Sequence, residues 1–440
     1  MPSAGPQQLR DSIIKARVHS QRDEFIAAIH EEKVCELASS YRHGDRCSYF
    51  APPVRGSYNI CYFVTFEDAE RWVVRIPLAP CLAFPAKEKL ESEIATMSLI
   101  TERTTIPIPR IVAYGLGDTS EPLSSFLILE YVEGQKLSYT QIGRMSDEQR
   151  ARFDASLASI YIQLRRLEFS SVGCLQPSSH GAEVSKMTMS IDINMQELEG
   201  LKPSSIQASY YKNGLLNSAD AYVSMLLEIA DNAFAEGRGS FIEDADEGAE
   251  ALYHLSIFRQ YAEGWVDHRL DRGPFVVVHG DLEPFNLIIN SEMDIICVLD
   301  WEWSRVVPLQ FFKPPLWLGN PDPTNLAYDV VYQRYLKRFD QFLTVVRMLE
   351  REKYGNEVLS NEWAEAKTDS GFLVANALEN WTDIDWFAFR YINRKCYRGQ
   401  DLQKRTRAFA DSPERKSLIE RKLRESVTYM AEVKRLRDEP

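Results

Sequence analysis

Phe275-Val276-Val277-Val278-His279-Gly280-Asp281-Leu282-Glu283-Pro284-Phe285-Asn286-Leu287-Ile288-Ile289 reads as an apolar strand, a polar loop and a second apolar strand. Phe275 to Val278 are all apolar and mostly β-branched, the composition of a short strand buried on both faces. Ile295 to Leu299 is a third such run, and it ends at Asp300-Trp301-Glu302. A hairpin between the last two runs would return Asp300 to the side of Asn286, although fourteen positions separate them. His279, Asp281, Asn286 and Asp300 are therefore expected to meet at one end of a small buried sheet. Polar groups taken out of water cost free energy unless they find partners, so four of them between buried strands call for a use. Singly, each has a plain reading: a core histidine, a turn aspartate, a capping asparagine. Together, the spacing favours chemistry.

Phosphoryl transfer from ATP needs a carboxylate to orient the attacking hydroxyl and take its proton, with an amide oxygen and a second carboxylate to hold magnesium on the phosphates. Asp281 fits the first role, and Asn286 and Asp300 fit the second, since Mg²⁺ prefers hard oxygen ligands. An Asp and an Asn five positions apart, then a strand and a metal-binding Asp, match the spacing of a kinase catalytic loop. His279 is expected to brace that loop through its ring hydrogen bonds. Trp301 and Glu302 read more readily as packing and as an anchor for the following loop.

The pattern H-G-D-L-x-P-x-N followed by D-W-E resembles the aminoglycoside phosphotransferase and choline kinase-like family. Trp72 to Pro77, Ser92 to Met97, Ile106 to Pro109 and Leu127 to Gly134 stand in that family's order, so the resemblance runs from about Tyr49 to Trp317. It implies an α+β, two-lobed protein-kinase-like fold: a small antiparallel-sheet N-lobe with one helix, and a larger, mainly helical C-lobe. It also implies ATP and Mg²⁺ as cofactors and a small-molecule hydroxyl acceptor as partner. By the same resemblance, Arg75 stands where a phosphate-pairing lysine is usual and Glu93 is its helix partner. Gly56 and Ser57 sit in the phosphate cover, which has a single glycine, and Glu130 to Val132 form the linker facing the adenine edge. Arginine keeps the charge of lysine but is planar and longer, so the pairing geometry should differ.

Working outward, Ser57 to Phe66 alternates Tyr58, Ile60, Tyr62, Val64 and Phe66 on one face, and Arg71 to Ile76 resumes strand composition after a polar turn. Ala86 to Thr101 carries Leu90, Ile94, Met97 and Ile100 at helical spacing. Three parts are expected: a helical extension over residues 1–48 packed on the outside, an N-lobe over 49–132, and a C-lobe over 133–440. In the last, Ser146 and Gln149 form a capping box ahead of a buried stripe from Phe153 to Leu167. A helix is expected from Asp246 to Leu270 and another after Ser412-Pro413. Pro177 to Asn217 shows no clear period and reads as a long excursion or lid. That segment and the helices after Trp317 are expected to line the acceptor pocket. The Met187, Met189 and Met195 group reads as core filler, and the acidic run from Glu243 to Glu250 as a solvated face.

Composition bounds the alternatives. Lys+Arg number 51 against 64 Asp+Glu, a net charge of -13 that argues against nucleic-acid backbones and anionic membranes as partners. Seven scattered cysteines include no C-x-x-C pair and read as thiols in a reducing compartment. The polar opening, Met1 to Arg10, and the lack of a long apolar run suggest a cytosolic protein without a signal peptide or membrane span. A P-loop enzyme is excluded by the missing G-x-x-x-x-G-K-[ST] motif. A protein kinase fits less well, because Gly280 stands where arginine is usual and no Ala-Pro-Glu follows Asp300. The rival from another class is a nucleotide-binding scaffold or pseudokinase, motivated by Arg75 and the glycine-poor cover.

Overall fold

The computed structural model describes residues 9–117, 121–179, 181–238, 242–319 and 323–438; the opening to Gln8 lies outside the described residues. Two helices, α1 (Ser12–Ala27) and α2 (Glu31–Ser40), precede strands β1 (Cys47–Arg55), β2 (Asn59–Phe66) and β3 (Arg71–Pro77). Helix α3 (Ala86–Arg103) follows, then β4 (Ile111–Leu116) and β5 (Ser125–Glu130). The strands form one antiparallel sheet in the order β1-β2-β3-β5-β4. As the alternation of β2 requires, Ile60, Tyr62, Val64 and Phe66 are buried on one face.

Strand β1 was not read from the sequence because Pro52 and Pro53 interrupt it. It lies at the sheet edge with two register shifts against β2, where a missing N–H does least harm. The extension is also less peripheral than expected. Val18, Ile29, Val34 and Ala38 share a core with Ile60, Val64, Trp72 and Ile76, so α1 and α2 belong to the small lobe's packing. Helix α3 faces both ways, since Leu90, Ile94, Met97 and Ile100 pack into the large lobe's core.

Beyond the Glu133-Gly134 turn come β6 (Gln135–Lys136), α4 (Tyr139–Arg144) and α5 (Asp147–Arg165). Both bonds of the Ser146/Gln149 capping box are present at the start of α5, an arrangement whose loss typically costs about 1 kcal/mol. The stretch read as an excursion is built instead from strands β8 (Cys174–Ser178) and β9 (Gly181–Lys186), which follow β7 (Glu168–Phe169), and from helices α6 (Ile191–Leu198) and α7 (Pro203–Tyr210). Met189 and Met195 are buried there, as core filler would be. Helices α8 (Ala219–Glu236) and α9 (Ala245–Trp265) complete this half. Asp244 caps α9 and Asp246 pairs with Arg407, so the acidic run is spent on capping and surface pairing.

The decisive stretch forms β10 (Phe275–Val278), β11 (Leu287–Ile289), β12 (Ile295–Val298) and β13 (Arg305–Pro308). β10 lies between β13 and β7, and β11 between β12 and β6. Phe275, Val276, Val277, Leu287, Val298, Val306 and Val307 are each fully buried. The rest of the chain is mainly helical, with α10 (Asp329–Tyr354), α11 (Val358–Ala366), α12 (Gly371–Glu379) and α13 (Asp383–Phe387), of which α12 and α13 reach the site. The closing helix runs from Pro413 to Asp438.

Candidate active site

The β11–β12 hairpin does what its sequence spacing requires. Leu287 pairs with Val298, and the Leu299 N–H donates to Asn286 O at 2.8 Å, which carries Asp300 back to Asn286. Asp300 itself is left-handed, with φ 60°, and its side chain is 39% exposed toward the cleft. The Asn286 amide donates to Asp281 O at 2.8 Å and to Asp281 Oδ2 at 3.2 Å. That leaves the Asn286 carbonyl oxygen as the end able to meet a cation.

His279 is buried between these parts. Its Nε2–H donates to Leu299 O at 2.8 Å, and its Nδ1 accepts from the Asp281 N–H at 3.3 Å. The ring also packs on Trp301, with centroids 4.6 Å apart. Burial brings its pKa down to about 4 against the opposing pull of the Leu299 carbonyl, so the ring is neutral with the proton on Nε2. The histidine thus ties the loop to the residue preceding Asp300.

Gly280 has φ 85°, and a Cβ there would lie 2.1 Å from the Trp303 carbonyl oxygen, a backbone atom that cannot swing away. Gly280→Ala should therefore destabilise the protein by more than the ~1–3 kcal/mol of a strained backbone conformation alone. Urea unfolding checks this, and an unchanged midpoint would contradict it.

From the small lobe, Arg75 on β3 is 3% exposed and Glu93 on α3 is 1% exposed, and the two form an ion pair through Arg75 Nη1 and Glu93 Oε1. Arg75 Nη2 lies 3.3 Å from Asp300 Oδ1 and 2.9 Å from Glu302 Oε2. Burial alone would lower the Arg75 guanidinium, but Glu93 and Asp300 outweigh it and hold the group above its usual value. Gly56 and Ser57 form the β1–β2 turn, closed by the Gly56 N–H on Asn59 O at 2.8 Å. A Cβ at Gly56 would meet that oxygen at an ordinary 3.5 Å, so this turn does not require glycine. In the linker, the Glu130 N–H is spent on Arg110 O and the Tyr131 N–H on Arg71 O. Val132, half-buried, is the next residue along.

The sequence reading passed over Lys89, named Asn59 only as part of the phosphate-cover loop, and gave Glu302 only a minor place. All three meet in the structure: the Asn59 amide donates to Glu302 Oε2 at 2.8 Å, and the buried Lys89 ammonium pairs with the same oxygen. A signal for Lys89 was available, since it lies one turn before Glu93 on the same face of α3.

A cavity of about 230 Å³ opens beside Asp281, bounded by Leu282, Glu283 and Trp317. Ser190 to Asp192, at the start of α6, line it from one side, and Asn376, Glu379 and Asp383 from the other. Both regions expected to shape an acceptor pocket therefore contribute to it. Glu379 takes Lys313 at 2.6 Å and also pairs with Arg305; although burial raises its carboxyl, these cations hold it below its usual value. Burial pushes Asp192 up to about 6 against the pull of Arg10.

Glu283 accepts a hydrogen bond from Tyr139 Oη at 2.6 Å. Burial pushes its carboxyl up to about 8, opposed by Tyr139 and reinforced by the Asp281 charge. The folded state then keeps a proton that the unfolded chain releases near 4.5, so stability from this group is present at low pH and lost as pH rises toward 8. Glu283→Gln removes that dependence. Its unfolding midpoint relative to the wild type should improve from about pH 5 to about pH 9, and a constant difference would count against a raised Glu283.

The model of the Phosphotransferase enzyme family matches residues 52–311. A protein of Zygosaccharomyces rouxii named "Altered inheritance of mitochondria protein 9, mitochondrial" is 23% identical over 310 residues, covering 61% of this chain and 49% of its own length. The protein of the same name from Debaryomyces hansenii is 32% identical over 82 residues, 19% of this chain and 13% of its own. The chain thus spans half or less of the length of these curated relatives. Among solved structures, the ADP-bound aminoglycoside phosphotransferase APH(2'')-Ib is 13% identical with a TM-score of 0.41, covering 78% of this chain and 99% of that one. Aminoglycoside phosphotransferase APH(4)-Ia is 12% identical with a TM-score of 0.44, covering 83% and 97%.

Proposed function

We propose, on the premise that this chain belongs to the Phosphotransferase enzyme family, that it moves the γ-phosphate of Mg-ATP to a hydroxyl of a small molecule. The observation that carries this is the convergence of Asp281, Asn286 and Asp300 at one hairpin, with Arg75 reaching Asp300 from the other lobe. In this reading Asp281 orients the acceptor hydroxyl and takes its proton, while His279 holds the loop in register. The cavity beside Asp281 admits the acceptor.

The residues present fit a magnesium nucleotide. Arg75 Nε is buried and makes no hydrogen bond, so a donor remains for an anion in the cleft. Asn286 and Asp300 offer two hard oxygen donors that the β11–β12 hairpin holds side by side. That suits magnesium, which takes one or two protein oxygens and fills its other positions with phosphate and water. When bound, magnesium would neutralise charge developing on the transferring phosphate. Val132 and Glu130 would lie along the adenine edge, with Gly56 and Ser57 over the phosphates and Glu93 holding Arg75.

The test is ADP release by the pure protein with Mg-ATP and a panel of amino sugars, amino alcohols and sugars. Acceptor-dependent release supports the reading. Nucleotide binding without release for any acceptor would support the scaffold that Arg75 invites.

No described helix is long and apolar enough to cross a membrane, and the seven cysteines are free thiols. A reducing compartment supplied with ATP is the setting that fits. The cytosolic expectation is set against relatives whose name places them in mitochondria, and a fluorescent fusion in cells would decide between the two.

A further inference from the structure

Glu302 sits two positions after Asp300 and is 8% exposed. Its Oε2 receives three groups from three separate small-lobe elements: Asn59 from β2, Arg75 from β3 and Lys89 from α3. A buried carboxylate carrying a full charge is costly without cationic partners, and here it has two. Lys89 itself is 3% exposed and lies 4.9 Å over the Trp303 ring, which Tyr58 meets edge-on. Burial and the nearby Arg75 charge press the Lys89 ammonium below its ordinary value, so its charge depends on the carboxylates around it.

Lys89 and Glu93 stand one turn apart on α3 and face the two ends of this arrangement. Glu93 takes Arg75 Nη1, Glu302 takes Arg75 Nη2, and Lys89 takes Glu302. The result is a buried chain of two cations and two anions, Glu93–Arg75–Glu302–Lys89, with no net formal charge. Asp300 lies beside this chain, more exposed, at 3.3 Å from Arg75 Nη2. Without Lys89, Arg75 alone would face Glu93, Glu302 and Asp300.

We infer that Lys89 and Glu302 are positioning residues for the nucleotide: they lock the Arg75 guanidinium between Glu93 and Glu302, so that arginine serves in the strand where lysine is usual. A lysine ammonium is a point charge that one glutamate can hold. A guanidinium is a planar fork with two ends, and its orientation is fixed only when both ends are held. Glu302 holds the second end, and Lys89 is its counter-charge from α3. Asn59, directly after the phosphate-cover turn, extends the same anchor to the part of the small lobe that would lie over the phosphates.

This inference rests on the nucleotide reading above. It is tested with the full chain as Lys89→Met, Glu302→Gln and the double variant, measuring thermal unfolding and Mg-ADP binding by calorimetry. Lys89→Met leaves Arg75 as the one cation among Glu93, Glu302 and Asp300, and Glu302→Gln leaves the buried Lys89 without its carboxylate, so both unfolding temperature and binding should fall in each. The double variant removes the charges as a pair and should regain most of the unfolding temperature, while Mg-ADP binding stays about 10- to 100-fold weaker than wild type. Lys89→Arg keeps the cation and should recover part of the binding that Lys89→Met loses. A double variant that binds Mg-ADP as the wild type does, or one that regains no stability, overturns the inference. A wild type that binds no Mg-ADP overturns the nucleotide reading itself, and this inference with it.

Discussion

Asp281→Asn should lower acceptor-dependent turnover of ATP by about 10²- to 10⁴-fold, the contribution of a positioned general base, while the protein stays folded and still binds Mg-ADP. The structure makes this a clean substitution. The backbone oxygen of residue 281, which accepts from Asn286 at 2.8 Å, and the N–H that donates to His279 are both retained. An asparagine has nearly the same shape as aspartate but cannot take the hydroxyl proton. Chemistry should therefore fail before structure does. Single-turnover measurement with saturating ATP checks it, and a variant with wild-type turnover would remove Asp281 from its proposed role.

Asp300→Asn should raise the magnesium concentration needed for half-maximal activity by at least about 10- to 100-fold, since a lost ligand should cost no less than the outer-shell partner for which that range is typical. Residue 300 has φ 60°, and asparagine is among the few side chains that tolerate this region. The substitution thus removes one negative charge without forcing the backbone to move. Arg75 keeps Glu93 and Glu302, so its place in the small lobe should also survive. Titrating magnesium at fixed ATP separates this effect from a loss of nucleotide affinity. An unshifted magnesium curve would place the metal elsewhere.

Much of the site was legible because its residues lie close in sequence or are joined by one hairpin. Asp281 and Asn286 are five positions apart, and the apolar runs on either side of the β11–β12 turn fix the register that returns Asp300. Helix α5 was readable from its capping box, and β2 from its alternation. Local patterns failed where elements are short or irregular. Helices α6 and α7 have eight residues each, too few to display a convincing period, and β8 ends in Pro177-Ser178. Strand β1 hid behind two prolines that its edge position tolerates.

Glu302 shows a different limit. Nothing near it in sequence announces three donors, because Asn59, Arg75 and Lys89 come from 213 to 243 positions away for the two hydrogen-bonded partners and from a separate strand for the third. Such a long-range meeting becomes visible only when the lobes are assembled. The cavity beside Asp281 is similar, since Asp192 and Asp383, far apart in sequence, both line it.

The most direct test of the central claim is transfer of label from γ-labelled ATP in a deproteinised small-molecule extract, with wild type beside Asp281→Asn. The account predicts a new, low-molecular-weight labelled phosphate ester with the wild type alone. Label that appears equally with both proteins, or that leaves ATP only as inorganic phosphate, would contradict it.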